Sequence, residues 1–259
     1  EPARQKPVEG PFQATVVRAV DGDTLVLANK DRIRLSAVNT PEIDEELGLE
    51  SRLFTKAFCV GKEVRVNART RDAYGRLVAD VVADGRSLTL ALVQAGMGHV
   101  FLIPPIDLET VRVLLAAQKE AQAARKGIWG TERYRGDFHF TSFHANPEGD
   151  DNENLNMESV RIGNLSTEPR NLRGYVLSNA KGERYVFGDV TVPGGFTIKV
   201  LSGEGIDRTD ADRQIQVHWN RTFGAWSNRG DTATLTDPKG NVVDSIVHDP
   251  LKKKVYPKD

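Results

Sequence analysis

Hydrophobic and polar positions in the first half of the chain change period several times. Short apolar-rich runs at Thr15 to Ala19 and Leu25 to Leu27 are separated by Asp21-Gly22-Asp23-Thr24, which has the composition of a hairpin turn. Arg32-Ile33-Arg34-Leu35 alternates polar and apolar side chains, as a half-buried strand does. Val64 and Val66, then Leu77 to Val82, continue the strand pattern, with Ala83-Asp84-Gly85-Arg86 as a turn. Three helical stretches interleave. Leu49, Leu53, Ala57 and Phe58 form an apolar stripe that ends near Gly61. Ser87 is placed to cap a helix carrying Leu88, Leu92 and Ala95, with Gly96 just past its end. Asp107 is placed to cap a longer helix carrying Leu108, Val111, Leu115 and Ala121, which ends at Arg125-Lys126-Gly127. Strands followed by helices predict a small barrel with packed helices.

From Thr131 the pattern changes. A polar, acidic stretch runs through Pro147-Glu148-Gly149-Asp150-Asp151-Asn152, with phenylalanines alternating at Phe138 and Phe140 before it. Strand patterns then recur at Val160 and Ile162, Leu172 to Leu177, Tyr185 to Phe187, Phe196 to Leu201, Ile215 to Trp219, Thr232 to Thr236 and Val242 to Val247. Turn signals such as Asn179-Ala180-Lys181-Gly182 and Asp237-Pro238-Lys239-Gly240-Asn241 separate them. Short strands at this spacing, with no good helix, predict a β-sandwich. The expected division is an N-terminal extension over 1–11, a barrel domain over 12–130, a linker or first strand over 131–153, a sandwich over 154–248 and a basic tail over 249–259.

Composition narrows the class. The chain has 259 residues, 39% hydrophobic and 27% charged, which excludes a disordered chain, a collagen-like fibre and a disulfide-stapled mini-protein. Its length is near the point where one core stops growing and a second domain begins. The net charge of -1 supplies no global positive field, so any hold on nucleic acid must come from local clusters. From Thr131 onward 17 basic residues face 19 acidic ones, so the second half has no overall basic footprint. The lone Cys59 excludes an intramolecular disulfide and a cysteine-rich zinc site, and its apolar neighbours make it a small core residue. No apolar run is long enough to span a bilayer as a helix. The chain opens at Glu1 with no initiator methionine and no signal-like segment. That suits a processed secreted or envelope-associated protein and equally a trimmed one, so export is the expectation and a cytoplasmic place stays open. No large exposed apolar stripe is evident, and a monomer is expected.

Three segments carry candidate chemistry. Asp21-Gly22-Asp23-Thr24 is ordinary hairpin chemistry, and its two acids also offer hard oxygens to a divalent cation. Arg32 and Arg34 share one strand face by period two, and Asn39, Thr40 and Glu42 follow in a loop where Pro41 disfavours helix. Tyr74-Gly75-Arg76 reads as a tight turn into a strand. Each alone has a purely structural reading. Together they supply what phosphodiester hydrolysis requires: oxygen ligands for a cation, two planar arginine forks for phosphate, and a carboxylate to orient or deprotonate water. The five histidines are scattered without ligand spacing, which speaks against a histidine-rich metal site.

The order Asp21-Gly22-Asp23-Thr24, Arg34 to Glu42 and Tyr74-Gly75-Arg76 resembles the staphylococcal nuclease (thermonuclease) family. The similarity continues through Leu92-Val93-Gln94-Ala95-Gly96 to Gly127-Ile128-Trp129. It implies an α+β OB-fold barrel with three helices that cleaves DNA and RNA using Ca²⁺, with Mn²⁺ or Mg²⁺ as other cations. Carried over by position, the resemblance makes Asp23, Asn39 and the Thr40 carbonyl cation ligands and Asp21 an outer-shell acid. Glu42 becomes the group that activates water, and Arg34 and Arg76 the phosphate clamp. Tyr74 and Arg32 become substrate-binding residues. The family usually has aspartate in place of Asn39, and the resemblance therefore implies weaker Ca²⁺ binding or a shifted metal preference. A lysine usual before the tyrosine is Ala73 here, and two nucleotide-packing tyrosines fall near Leu102 and Pro104, which implies looser base contacts. In the second half, Leu172-Arg173-Gly174-Tyr175-Val176-Leu177, Val192-Pro193-Gly194-Gly195-Phe196, Trp226-Ser227-Asn228-Arg229-Gly230-Asp231 and Asp237 to Ile246 resemble the lamin-tail domain. That likeness implies an all-β immunoglobulin-like sandwich acting as an accessory module for DNA, protein or cell envelope, with Trp219 and Trp226 in its core. The expectation is a nuclease of little sequence specificity; the alternative is a catalytically weak or inactive OB-fold module that binds nucleic acid or protein.

Overall fold

The computed structural model describes residues 10–147, 154–252 and 255–257. Most of the expected N-terminal extension, the acidic 148–153 and Lys253-Lys254 of the basic tail lie outside the described residues. The chain forms two units: Glu1–Phe101, Arg112–Thr131 and Lys254–Asp259 in one, Leu102–Val111 and Glu132–Lys253 in the other.

The first unit is built from β1 (Phe12–Ala19), β2 (Thr24–Leu27), β3 (Arg32–Leu35), β4 (Val38–Asn39), α1 (Gly48–Cys59), β5 (Glu63–Arg71), β6 (Leu77–Ala83), β7 (Arg86–Ser87), α2 (Leu88–Ala95) and β8 (His99–Val100). The helix α3 (Leu108–Ala123) completes it, its first turn falling in residues grouped with the second unit. Strands run in the order β3-β2-β1-β5-β6, and a parallel pairing of β3 with β6 closes a five-strand barrel, with Ile33 opposite Leu77 and Arg34 opposite Val78. Bulges in β1 at Val16/Arg18 and in β5 at Ala68/Thr70 supply the curvature that closing so small a barrel needs. Alternation decides what fills it. In β6, Leu77, Ala79, Val81 and Ala83 point inward, and in β3 Ile33 and Leu35 do, which turns Arg32 and Arg34 outward. Each fully buried Val, Leu or Ile of this interior contributes roughly 1.5–3 kcal/mol.

The helices show where periodicity alone misleads. Ser87 caps α2 as expected, its Oγ accepting from the Leu90 amide at 3.2 Å, and Gly96 ends the helix in a left-handed conformation. Asp107 caps α3 through the Thr110 amide at 2.8 Å, but the buried stripe is Leu114, Ala117, Gln118 and Ala121; Leu108 is exposed. In α1 the expected apolar stripe is reversed. Leu49 and Leu53 are 45% and 50% exposed, whereas Ser51, Arg52, Thr55 and Cys59 are buried. The reason is that α1 faces backbone carbonyls of neighbouring loops, and its buried side chains are donors: Ser51 Oγ to Met97 O at 2.7 Å, Arg52 Nε to Ala19 O at 2.9 Å and Thr55 Oγ1 to Gly22 O at 2.6 Å. Cys59 is fully buried, and burial pushes its thiol up to about 12, an inert core group as expected.

The second unit is strand-rich and immunoglobulin-like. It comprises β9 (Phe138–His144), β10 (Ser159–Asn164), β11 (Arg170–Asn171), β12 (Val176–Ser178), β13 (Arg184–Val186), β14 (Thr191–Val192), β15 (Thr197–Leu201), β16 (Ile215–His218), β17 (Asp231–Thr236) and β18 (Val242–His248). Two four-stranded sheets, β16-β15-β10-β9 and β13-β12-β17-β18, and a short β11-β14 pair enclose a core of Phe138, Phe140, Ile162, Leu177, Val200, Trp226 and Leu235. The run expected as one strand over 172–177 breaks, because Gly174 takes φ 79° and the chain turns there. Asp244, itself buried, ties β18 to β9, accepting from the Phe140 amide at 2.7 Å and lying 2.8 Å from His139 Nδ1.

Candidate active site

The β1–β2 turn folds around its first aspartate. Asp21 Oδ1 accepts the amides of Asp23 at 3.0 Å and Thr24 at 2.6 Å, which fixes the turn and holds both acids under the surface. Gly22 is required because a Cβ there would meet Thr40 Oγ1 at 2.6 Å and Ser51 Cβ at 2.8 Å. Thr55 then pins the Gly22 carbonyl from α1. Thr55 thus holds the acidic turn and Arg52 the strand end that leads into it, donors that the apolar pattern hides; Ser51, Thr55 and Cys59 at i, i+4, i+8 are the signal that marks this face.

Leaving β3, the chain kinks at Ala37, a non-glycine residue with φ 62°, and returns toward the turn. Thr40 meets Asp23 Oδ2 with its amide at 2.9 Å and its hydroxyl at 3.1 Å. Arg34 lies 3.3 Å from Asp23 Oδ1 through Nε, donates Nη1 to Leu35 O and Val38 O at 2.6 and 2.8 Å, and gives Nη2 to Asn39 Oδ1 at 2.9 Å. Three of its five N–H groups therefore bond protein oxygens, Nε adds an ion pair to Asp23, and Phe101 lies under the guanidinium at 5.6 Å. The Asn39 amide oxygen is turned to Arg34, and its Nδ2 lies 3.5 Å from Nε2 of the buried His99.

Glu42 is exposed, its amide held by Glu45 Oε2 at 2.8 Å. Its charge reaches the turn. Burial first, then the charges of Asp23 and Glu42, push the Asp21 carboxyl from 3.8 up to about 7, against a smaller pull from Arg34. Arg76 belongs to a separate cluster. Asp72 accepts the Arg76 amide at 3.0 Å and its Nε at 2.7 Å, and the exposed Tyr74 ring lies 5.4 Å from the guanidinium. Its two Nη groups have no partner among the described residues. The parallel register pairs Ile33 with Leu77, the residues that follow Arg32 and Arg76, and Arg34 lies two positions beyond Arg32 on the same outer face of β3. Arg32 is exposed and touches neither acid. The structure thus brings Asp21, Asp23, Arg34, Asn39 and Thr40 into one contact network. Glu42 is joined to it by its field, and Arg76, Tyr74 and Arg32 stand beside it through the sheet.

A closed five-strand barrel with three helices and this acid–arginine mouth defines an OB-fold domain of the nuclease type. The chain belongs to the staphylococcal nuclease homologue family, which matches residues 32–131, and the Lamin Tail Domain family matches residues 132–249. A protein of Escherichia coli O157:H7 described as an uncharacterized endonuclease is 35% identical over 118 residues, covering 44% of this chain and 74% of its own. A Haemophilus influenzae protein of the same description is 30% identical over 118 residues, covering 44% of this chain and 64% of its own. A probable staphylococcal-like nuclease of Oryza sativa subsp. japonica is 32% identical over 108 residues, covering 42% and 31%.

Proposed function

We propose that the chain is a divalent-cation-dependent nuclease that hydrolyses phosphodiester bonds of DNA, RNA or both with little sequence specificity, and that its second domain serves binding or anchoring. The observation that carries this reading is the buried acidic turn in which Asp21 and Asp23 lie together beside Thr40 and Arg34, with the charge of the exposed Glu42 reaching it and the Asp21 carboxyl pushed up to about 7. That is a site short of positive charge, and a hard cation supplies it. Among the described residues no three Asp, Glu, His or Cys side chains converge as a ready metal cage, so the donor set fits a cation held by a pair of carboxylates, neutral oxygens and water. Asp21 and Asp23, with the Thr40 carbonyl, would hold it, Ca²⁺ first and Mn²⁺ or Mg²⁺ as alternatives. Bound there, it would stabilise negative charge on the phosphoryl oxygens.

The rest falls to the chain's own side chains. Arg76 offers its two unpartnered Nη groups to the scissile phosphate, steadied through Nε by Asp72. Arg34 offers the phosphate what its bonds to Leu35, Val38 and Asn39 leave over, and otherwise holds Asn39 and neutralises Asp23. Glu42, open to solvent, accepts the proton of the attacking water as its oxygen bonds to phosphorus. The opposite P–O bond breaks, and its oxygen takes a proton from solvent. One observation favours the alternative of a catalytically weak binding module, namely how fully Arg34 is engaged. The test is to incubate single- and double-stranded DNA and RNA with the full chain and Ca²⁺, Mg²⁺, Mn²⁺ or chelator, beside Glu42→Ala and Arg76→Ala. Cleavage that needs a cation and falls by about 10²–10⁴-fold in Glu42→Ala is expected. No cleavage by the wild type with any cation, or undiminished cleavage by both variants, would overturn the reading.

A further inference from the structure

Behind the loop that carries Asn39 and Thr40 lies the segment 97–100, which meets that loop through both backbone and side chain. β8 pairs antiparallel with β4, setting Val100 opposite Val38 and His99 opposite Asn39. Gly98 brings its backbone flush against the loop: a Cβ there would meet the Asn39 carbonyl oxygen at 2.8 Å and Thr40 Cγ2 at 3.0 Å. His99, fully buried, reaches the side chain of Asn39, its Nε2 lying 3.5 Å from Nδ2. The other ring nitrogen, Nδ1, lies 2.9 Å from the Val100 carbonyl oxygen. From the far side Gln118 of α3, also fully buried, accepts the Val100 amide at 2.7 Å.

The direction of this chain of contacts is set at both ends by groups that can play only one part. A guanidinium only donates, so the Asn39 atom that meets Arg34 Nη2 at 2.9 Å is the amide oxygen. Its nitrogen is thereby turned to His99. A carbonyl only accepts, so the ring nitrogen beside Val100 carries the proton, and in a neutral imidazole Nε2 is then an acceptor. The two requirements agree. Asn39 Nδ2 donates toward His99 Nε2, and at 3.5 Å that link is the longest of the series. His99 thus touches backbone through one nitrogen and, through the other, the amide that holds Arg34.

We propose that His99 is a positioning residue: it fixes the orientation of the Asn39 amide and, through it, holds the Arg34 guanidinium ready for the scissile phosphate. That Arg34 meets a phosphate rests on the nuclease reading; that His99 sets how Arg34 is held does not. Without an acceptor at Nε2 the Asn39 amide loses what fixes its rotation, and Nη2 then meets nitrogen as well as oxygen. The arginine stays in place, because Nη1 keeps Leu35 and Val38, but its outer fork loses an anchor. The lesion is one of alignment rather than of substrate affinity, and misalignment of a phosphate-gripping group lowers turnover.

Two single substitutions in the full chain divide the ring. His99→Gln puts an acceptor near the place of Nε2. His99→Asn keeps a donor near Nδ1 for the Val100 carbonyl and leaves nothing at Nε2. On single-stranded DNA, in the cation that supports cleavage, His99→Asn should lower kcat about tenfold with KM within about threefold of wild type. His99→Gln should recover most of that loss. In an Asn39→Ala background the two variants should be alike, because the path from His99 to Arg34 is gone. A second readout needs no cleavage: the Arg34 Nε–H resonance in proton–nitrogen NMR spectra, assigned by its loss in Arg34→Lys. It should move in His99→Asn and stay near its wild-type place in His99→Gln, while long-range ring spectra of the wild type show the proton on Nδ1. The wild-type ring decides even where a variant does not fold. Equal losses in the two variants, a difference that survives Asn39→Ala, or a ring proton on Nε2 overturns the proposal. A wild type that cleaves nothing with any cation, while the Arg34 resonance follows His99 as expected, refutes the nuclease reading alone and keeps His99 as the residue that holds Arg34.

Discussion

Asp21 concentrates the conflict between stability and site chemistry. Its carboxyl is raised from 3.8 to about 7 in the folded chain by burial and by the charges of Asp23 and Glu42. A carboxyl raised on folding favours the native state while protonated, and that contribution is lost as pH climbs from about 4 through 7. Asp21→Asn keeps an oxygen that accepts the Asp23 and Thr24 amides and removes the charge. In chelator, the variant should therefore melt higher than the wild type above pH 7, with the gap closing toward pH 4. A gap independent of pH would disprove this origin of the strain. Asn39 raises the complementary question. Its amide oxygen accepts from Arg34 Nη2 at 2.9 Å, and a carboxylate there would add one negative charge beside Asp23. Asn39→Asp should tighten cation binding by about tenfold, the worth of one added charge near a divalent ion at high dielectric. Calorimetric titration checks it, and an unchanged or weaker affinity would show that Arg34 absorbs the new charge.

Between elements, the site depends on how α1 meets the acidic turn. The turn, the Arg34 strand and the Tyr74-Gly75-Arg76 hairpin were all legible in the sequence, because Asp-Gly turns and period-two alternation are local signals. The buried face of α1 was not, because Ser51, Arg52 and Thr55 are buried by hydrogen bonds to distant carbonyls, and hydrophobic periodicity does not report those. Nor could local pattern reveal that Arg34 spends most of its donors on Leu35, Val38 and Asn39, since that follows from the left-handed kink at Ala37. Gly22 tests the junction. Gly22→Ala drives a methyl against Thr40 and Ser51 and should cost about 1–3 kcal/mol, read from denaturant unfolding. Activity should fall more than the lost folded fraction explains, because Thr40 is displaced from Asp23. Wild-type stability would mean that the turn has slack.

At the scale of the whole molecule, the split near residue 131 was visible as a change from mixed to purely β patterning, and each family match falls on one side of it. Less visible was that residues 102–111, the segment leading into α3 and that helix's first turn, group with the second unit. Each unit has its own buried interior: Val16, Leu25, Ile33 and Val81 in the barrel, Phe138, Phe140, Ile162 and Leu235 in the sandwich. Two cores predict two cooperative unfolding transitions rather than one. Local lesions should sort them. Gly22→Ala should lower one midpoint, and Asp244→Ala, which strips the buried acceptor from the Phe140 amide, should lower the other by the several degrees that about 2 kcal/mol is worth in a domain of this size. Ca²⁺ added at saturation should raise only the midpoint that Gly22→Ala lowers, since a cation bound to the native barrel stabilises that unit by mass action. Scanning calorimetry of the wild type and both variants, with and without Ca²⁺, decides the matter. A single transition moved by both substitutions would mean that the two cores unfold as one.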